Sequence, residues 1–289
     1  TTLFRSRKVT MNNLLKTFSV SFCLLSTQSY AASVDILTYF KPGGSTDSHI
    51  QQIKPLLEEK GFDVNVQYMK SCADALNYAQ SASGDVLMYQ LTGDYNPGAS
   101  EGRCVMTGKE KIKAVAIPYV GPINVCASPN KSISMNDFLG GRTLTMGVGA
   151  GGKSMEYFQK SFDALGAQIE IKKYRGGGKK NKAAIAGDVD MFSSVNQSLR
   201  KVKGHGTCFA STVRNNPLGN AFIGDLIGDP NWPEFTDGQI IWANNPSSPV
   251  ISAYNQILTS KSYIASQEKK LLRVPAESEI DSLMEMYGN

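Results

Sequence analysis

Two glycine-rich loops constrain this chain more than any other feature, because each joins an apolar run to a helix start. The first, Pro42-Gly43-Gly44-Ser45-Thr46-Asp47, follows Val34 to Phe40. The second, Gly147 to Ser154, follows Thr143-Leu144-Thr145-Met146. The first turn of a helix carries unpaired N–H groups and a partial positive charge. Glycine lets the backbone come close to an anion at that point. Two such cradles in one chain point to a site for a small acid.

The N-terminal segment reads as a targeting signal. Met11 is the expected start. Lys16 then supplies a positive region, Thr17 to Thr27 an apolar stretch and Ser29-Tyr30-Ala31 a small-x-small cleavage site. The expectation is therefore an extraneous leader at residues 1–10, a signal peptide at 11–31 and a mature protein beginning at Ala32, exported to the periplasm. The apolar run is too short to span the roughly 30 Å of bilayer hydrocarbon.

Removing that segment changes the charge argument. The chain has 30 basic and 25 acidic side chains and a pI of 8.8, which would invite a nucleic-acid reading. Four of the basic residues, Arg5, Arg7, Lys8 and Lys16, precede Ala32, which leaves 26 against 25. A near-neutral mature protein gives no global support for a nucleic-acid partner. One basic cluster persists at Lys172, Lys173, Arg175, Lys179, Lys180 and Lys182. It reads either as a solvated edge or as a local field that attracts an anion.

Four cysteines remain after Ala32: Cys72, Cys104, Cys126 and Cys208. None forms a C-x-x-C pair, and His49 and His205 are far apart in sequence, so no metal site is expected. An even count in an exported chain favours disulfides, with three possible pairings.

Apolar periodicity alternates strands with helices. Ile50, Ile53, Leu56 and Leu57 mark a first helix capped by Ser45 or Thr46, with Pro55 as a possible kink and Gly61 as its stop. Val64, Val66 and Tyr68 mark a strand, 71–82 a helix and Val86 to Met88 a buried strand. The rhythm continues through strands at 115–117, 123–127 and 143–146 and a short helix near 135–139. A helix at 154–165 buries Met155, Phe158, Phe162 and Leu165. Strand 169–171, helix 179–186, strand 189–192 and strand 208–212 complete it. Residues 215–249, rich in Pro, Gly and Asn, read as surface loops, and 277–287 as an amphipathic tail helix. Repeated β-α-β units predict an α/β protein with parallel sheets covered by helices.

Gly147 to Ser154 also fits the P-loop pattern G-x-x-x-x-G-K-S between a strand and a helix. A P-loop NTPase or phosphotransferase is therefore the alternative reading. Against it stand the export signal, which removes the chain from ATP, and the lack of an apolar run ending in a magnesium-holding Asp; Val189-Asp190 is the nearest and is short. The loop also lies in a lobe of under a hundred residues.

In order along the chain, Lys41-Pro42-Gly43-Gly44-Ser45-Thr46-Asp47, the loop at Gly149 to Ser154, Tyr174-Arg175-Gly176-Gly177 and Gly187-Asp188-Val189-Asp190-Met191 resemble the motifs of tripartite tricarboxylate transporter substrate-binding proteins, the Bug family. The resemblance spans roughly Val34 to Pro249. It implies a two-lobed periplasmic binding protein of type II-like form, with two mainly parallel sheets flanked by helices and joined by two hinge strands. The hinges would lie near Ile123 to Ala127 and Cys208 to Thr212. Lobe 1 would comprise 32–126 and 209–289, and lobe 2 residues 127–208.

The family's role implies capture of a small carboxylate between the lobes and its delivery to the membrane subunits of a tripartite transporter. No catalysis or cofactor is implied, and the chain would act as a monomer. The implied ligand residues are Gly43, Gly44, Ser45, Thr46 and Asp47 on one side, and Gly151, Gly152, Lys153 and Ser154 on the other. Tyr174 and Arg175 would line the cleft. Asp47 is expected to cap its helix, with an amine-binding role as the lesser reading. Lys153 and Glu156 depart from the family's serine and histidine and put the ligand's identity in question. The register implies disulfides Cys72–Cys104 and Cys126–Cys208.

Overall fold

A computed structural model describes residues 32–97, 104–106, 109–149, 152–174 and 176–288. The leader and signal peptide expected at 1–31 lie outside the described residues, as do Gly151 and Arg175.

The first half is a β-α-β unit twice over. Strands β1 (Ala32–Thr38), β2 (Phe62–Tyr68) and β3 (Asp85–Leu91) alternate with helices α1 (Ser45–Glu58) and α2 (Cys72–Ser81). β1 lies between β2 and β3 and is parallel to both. Ile50, Ile53 and Leu57 recur at helical spacing on α1 and are wholly buried with Val34 and Ile36 of β1. Each such side chain contributes about 1.5–3 kcal/mol by leaving water. α1 runs through Pro55 to Glu58, since a proline this near the C-terminus removes one helical hydrogen bond. Gly61, at φ +90°, then turns the chain. Ser71 caps α2 by accepting from the Asp74 N–H at 3.1 Å.

A short pair, β4 (Asn96–Pro97) and β5 (Val105–Met106), precedes β6 (Lys113–Ala116) and the fully buried β7 (Val120–Ala127). The second half repeats the parallel pattern. It comprises β8 (Leu144–Gly149), α3 (Gly152–Leu165), β9 (Ile169–Tyr174), α4 (Gly177–Ala186) and β10 (Met191–Val195). β8 is parallel to both β9 and β10. Phe158 and Phe162 of α3 are buried, and Phe162 meets Phe138 edge-to-face. Then come α5 (Asn196–Leu199), β11 (Cys208–Ser211), α6 (Ile223–Ile227), β12 (Thr236–Ala243), α7 (Pro249–Leu258), α8 (Lys261–Glu268) and α9 (Ile280–Gly288).

The strands follow the order β2-β1-β3-β12-β7-β10-β8-β9, with β6 on β12 and β11 on β7. Two parallel sets are thus joined through antiparallel β12 and β7, which pair at Thr236↔Pro122 to Gly238↔Val120. This corrects two sequence expectations. Residues 215–249 are not all surface loops, because they contain β12, the strand that crosses back to the first half. The strand at Cys208–Ser211 does not cross: it pairs with β7, Ser211 also bridges to Phe222, and α6 after it packs on α3.

Two disulfides are present. Cys72–Cys104 ties α2 to the segment before β5, and Cys126–Cys208 joins directly opposed residues of β7 and β11.

Candidate functional site

The first loop is shaped from within. Gly43, at φ +81°, takes the left-handed conformation that side chains disfavour, and Gly44 is the N-cap of α1. Neither Ser45 nor Thr46 caps the helix, contrary to the sequence expectation; both lie inside its first turn. Asp47 reaches back to accept from the Gly43 N–H at 2.7 Å. It also accepts from the Tyr68 hydroxyl and, at 3.3 Å, from the Gln51 amide. Burial pushes the Asp47 carboxyl up, but the bonds from Tyr68, Gly43 and Gln51 outweigh that and hold it below the usual range. Its carboxylate is engaged in bracing the loop. The N–H groups of the first turn stay directed out of the helix.

Thr46 is buried, and its Oγ1 accepts from Nε2 of Gln239 on β12 at 2.7 Å. Ser45 lines a small cavity of about 20 Å³ together with Tyr119, Val195, Gln197, Asp237 and Leu272. That is room for one water-sized molecule. A dicarboxylate would enter only if the walls moved apart.

The second loop starts α3 at Gly152, with Lys153 and Ser154 half-buried in its first turn. Ser154 reaches the first half. Its Oγ lies 3.2 Å from the point where a β-carbon on Gly93 would stand, and Oδ1 of Asp237 lies 3.7 Å from that same point. Gly93 belongs to a tight turn, Thr92–Asp94, that ends β3. Its lack of a side chain is what lets Ser154 approach. The two helix starts therefore converge on the surroundings of Asp237.

Tyr174 ends β9, where its ring edge and the Lys180 chain both lie 3.4 Å from the β-carbon position of Gly147. It packs against the buried cluster formed by Cys126, Ala184, Val189, Phe192, Leu199 and Val202. Glu156 points outward and pairs with Lys160 at 2.9 Å. That hydrogen bond, helped by the fields of Lys160 and Lys153, holds its carboxyl below the usual range against the opposing effect of burial.

Three polar residues near the loops escaped sequence reasoning. Lys180 is buried, donates to the Ser193 carbonyl, and is pushed by burial down to about 8, against the opposing field of Asp237. Asp237 accepts from the Thr92 hydroxyl at 3.0 Å. Burial pushes its carboxyl up, opposed by the Thr92 bond, the field of Lys180 and the N–H groups of Gly93 and Gly238. Gln239 is wholly buried, and its Oε1 has no hydrogen-bond partner among the described residues. Lys180 was visible only as a member of the basic cluster, of which Lys179 and Lys182 are exposed.

The ligand atoms of Cys126, His205 and Cys208 lie within 4.8 Å of one another. Both sulfurs are spent on their mutual disulfide, so this is not a thiolate metal centre. No helix among the described residues is long and apolar enough to cross a membrane.

This arrangement is the two-lobed fold of periplasmic solute-binding proteins. Among solved structures the chain is similar to Rpa4515 of R. palustris with adipate, at 14% identity and a TM-score of 0.70, over 88% of this chain and 93% of that one. It is also similar to MatC from Rhodopseudomonas palustris with bound malate, at 15% identity and a TM-score of 0.65, over 88% and 96%. The periplasmic binding protein BugD follows at 14% and 0.64, over 88% and 95%. No protein-family model and no curated protein matches the sequence.

Proposed function

We propose that the chain is an extracytoplasmic solute-binding protein that captures a small organic carboxylate between its two lobes. It would hand the ligand to the membrane subunits of a tripartite tricarboxylate-type transporter. One observation carries the reading: Ser45 in the first turn of α1 lines a small cavity with Asp237, and Ser154 in the first turn of α3, from the other half, lies against Gly93 beside the same Asp237. Helix starts hold a carboxylate through N–H groups and the local dipole. The fold shared with proteins solved with adipate and malate adds support.

In this reading Gly43, Gly44, Ser45 and Thr46 hold one side of the carboxylate, and Gly151, Gly152, Lys153 and Ser154 the other. Asp47 braces the first loop, and Tyr174 and Arg175 serve as lining residues of the cleft. Closure follows because only the closed form uses both loops, which gives the ligand differential affinity for it. Lobe 1 takes in 32–119 and the chain after β12, and lobe 2 the segment from β7 to the start of β12. The protein works in the periplasm, as a monomer and without catalysis.

Gly44→Asp tests the site. Gly44 has φ −77° and ψ −179°, and its β-carbon would come no closer than 3.4 Å to the Lys41 carbonyl. Aspartate is also a preferred N-cap. The variant should therefore melt at or above the wild-type temperature while its own carboxylate occupies the anion cradle. Calorimetric titration should show carboxylate affinity reduced by about 100-fold or more. Unchanged affinity would remove the first loop from the site.

A further inference from the structure

The acceptors around the cleft say more about the ligand than its donors do. Asp237 and Gln239 are two apart on β12 and so share a face of the strand. Asp237 lines the cavity with Ser45 and Gln197. Gln239 spends its Nε2 on Thr46 in the first turn of α1 and keeps a buried Oε1 without a partner. An unpaired buried acceptor is costly to leave without a donor, and a ligand carrying one would recover that cost. A site shaped for a plain carboxylic acid has no use for a carboxylate and a spare amide oxygen beside the anion cradle; like charges would repel.

We infer that the ligand is a zwitterionic α-amino acid, its ammonium group held by Asp237 and Oε1 of Gln239 while the two helix starts hold its carboxylate. This rests on the binding-protein reading above and narrows its substrate class. Charge matching agrees with it. Lys180, buried in the second half, and Asp237 are of opposite sign and each feels the other's field. A zwitterion preserves that balance. A dicarboxylate adds uncompensated charge in a poorly solvated space. A hydroxy acid could satisfy Gln239 but would leave Asp237 facing an anion. Asp47 is turned into its own loop, on Gly43, Gln51 and Tyr68, and does not line the cavity that Asp237 lines.

The test uses acids that differ only at the second carbon: propionate, lactate and alanine, then succinate, malate and aspartate, each titrated calorimetrically into the protein. The amino member should bind at least about tenfold more tightly than its unsubstituted parent in one series. Asp237→Asn should reduce that preference to about threefold or less without weakening the parent acid. Tightest binding by the parent or hydroxy acid in both series overturns the zwitterion inference alone. So does a preference that survives Asp237→Asn. If no member binds, the carboxylate reading falls with it. Should Asp237→Asn fail to fold, the wild-type series still decides.

Discussion

Asn124 on β7 and Gln239 on β12 are both wholly buried amides on the two strands that join the halves, yet their surroundings differ. Asn124 uses its full capacity. It donates to Asn196 Oδ1 at 2.6 Å and the Ser194 carbonyl at 3.3 Å, and accepts from Asn216 at 2.7 Å and Asn220 at 2.8 Å. Asn196 extends the network to the Leu271 carbonyl at 3.2 Å. Gln239, next to the glycine loop, makes one bond and leaves an oxygen over. A saturated buried network specifies the fold, whereas an unsaturated one beside a cavity is held open for something else. The lesson is to look for a binding site where the hydrogen-bond inventory fails to close.

The sharpest way to break this contrast is Asn124→Leu. It orphans the amides of Asn216 and Asn220 and the oxygen of Asn196, so it should cost roughly 3–5 kcal/mol. Denaturant unfolding would measure it, and a loss under about 1 kcal/mol would mean the network is not structural. Lys180→Met probes the cleft side. The folded-state pKa of Lys180 lies near 8, below its usual 10.5. Between those values the unfolded chain binds more protons, so Lys180 makes stability rise with pH, by up to about 3 kcal/mol. The variant should lack that rise across the same window, which melting at a series of pH values would reveal. The smallest effect belongs to Gln239→Leu, which loses the Thr46 bond but also removes the orphan oxygen. Stability should change by about 1 kcal/mol or less. A loss as large as that from Asn124→Leu would erase the distinction.

Much of the fold was legible in the sequence for local reasons. Ile50, Ile53 and Leu57 marked α1, Phe158 and Phe162 marked α3, and the glycine loops fell where strands pass into helices. β12 was not legible. Its Gly238 to Ala243 segment is buried on both faces, so it lacks the alternation of a half-exposed strand, and the surrounding Gly, Pro and Asn masked it. Missing it put the second crossing at β11. The candidate site divided along the same line. Its loops carry local signals, but Lys180, Asp237 and Gln239 acquire their character from burial and from partners distant in sequence. No spacing announces that Lys180 turns inward while Lys179 does not.

The central claim, a carboxylate held between two helix starts, is tested most directly by thermal shift. The panel comprises mono-, di- and tricarboxylates, amino acids, and ATP with magnesium. A ligand at a hundred times its dissociation constant adds about 2.7 kcal/mol, or roughly 5 °C or more for a domain of this size. The account predicts such a shift with one class of carboxylate and none with nucleotide. A shift with ATP and magnesium alone would contradict it and make Gly147 to Ser154 a nucleotide-binding loop.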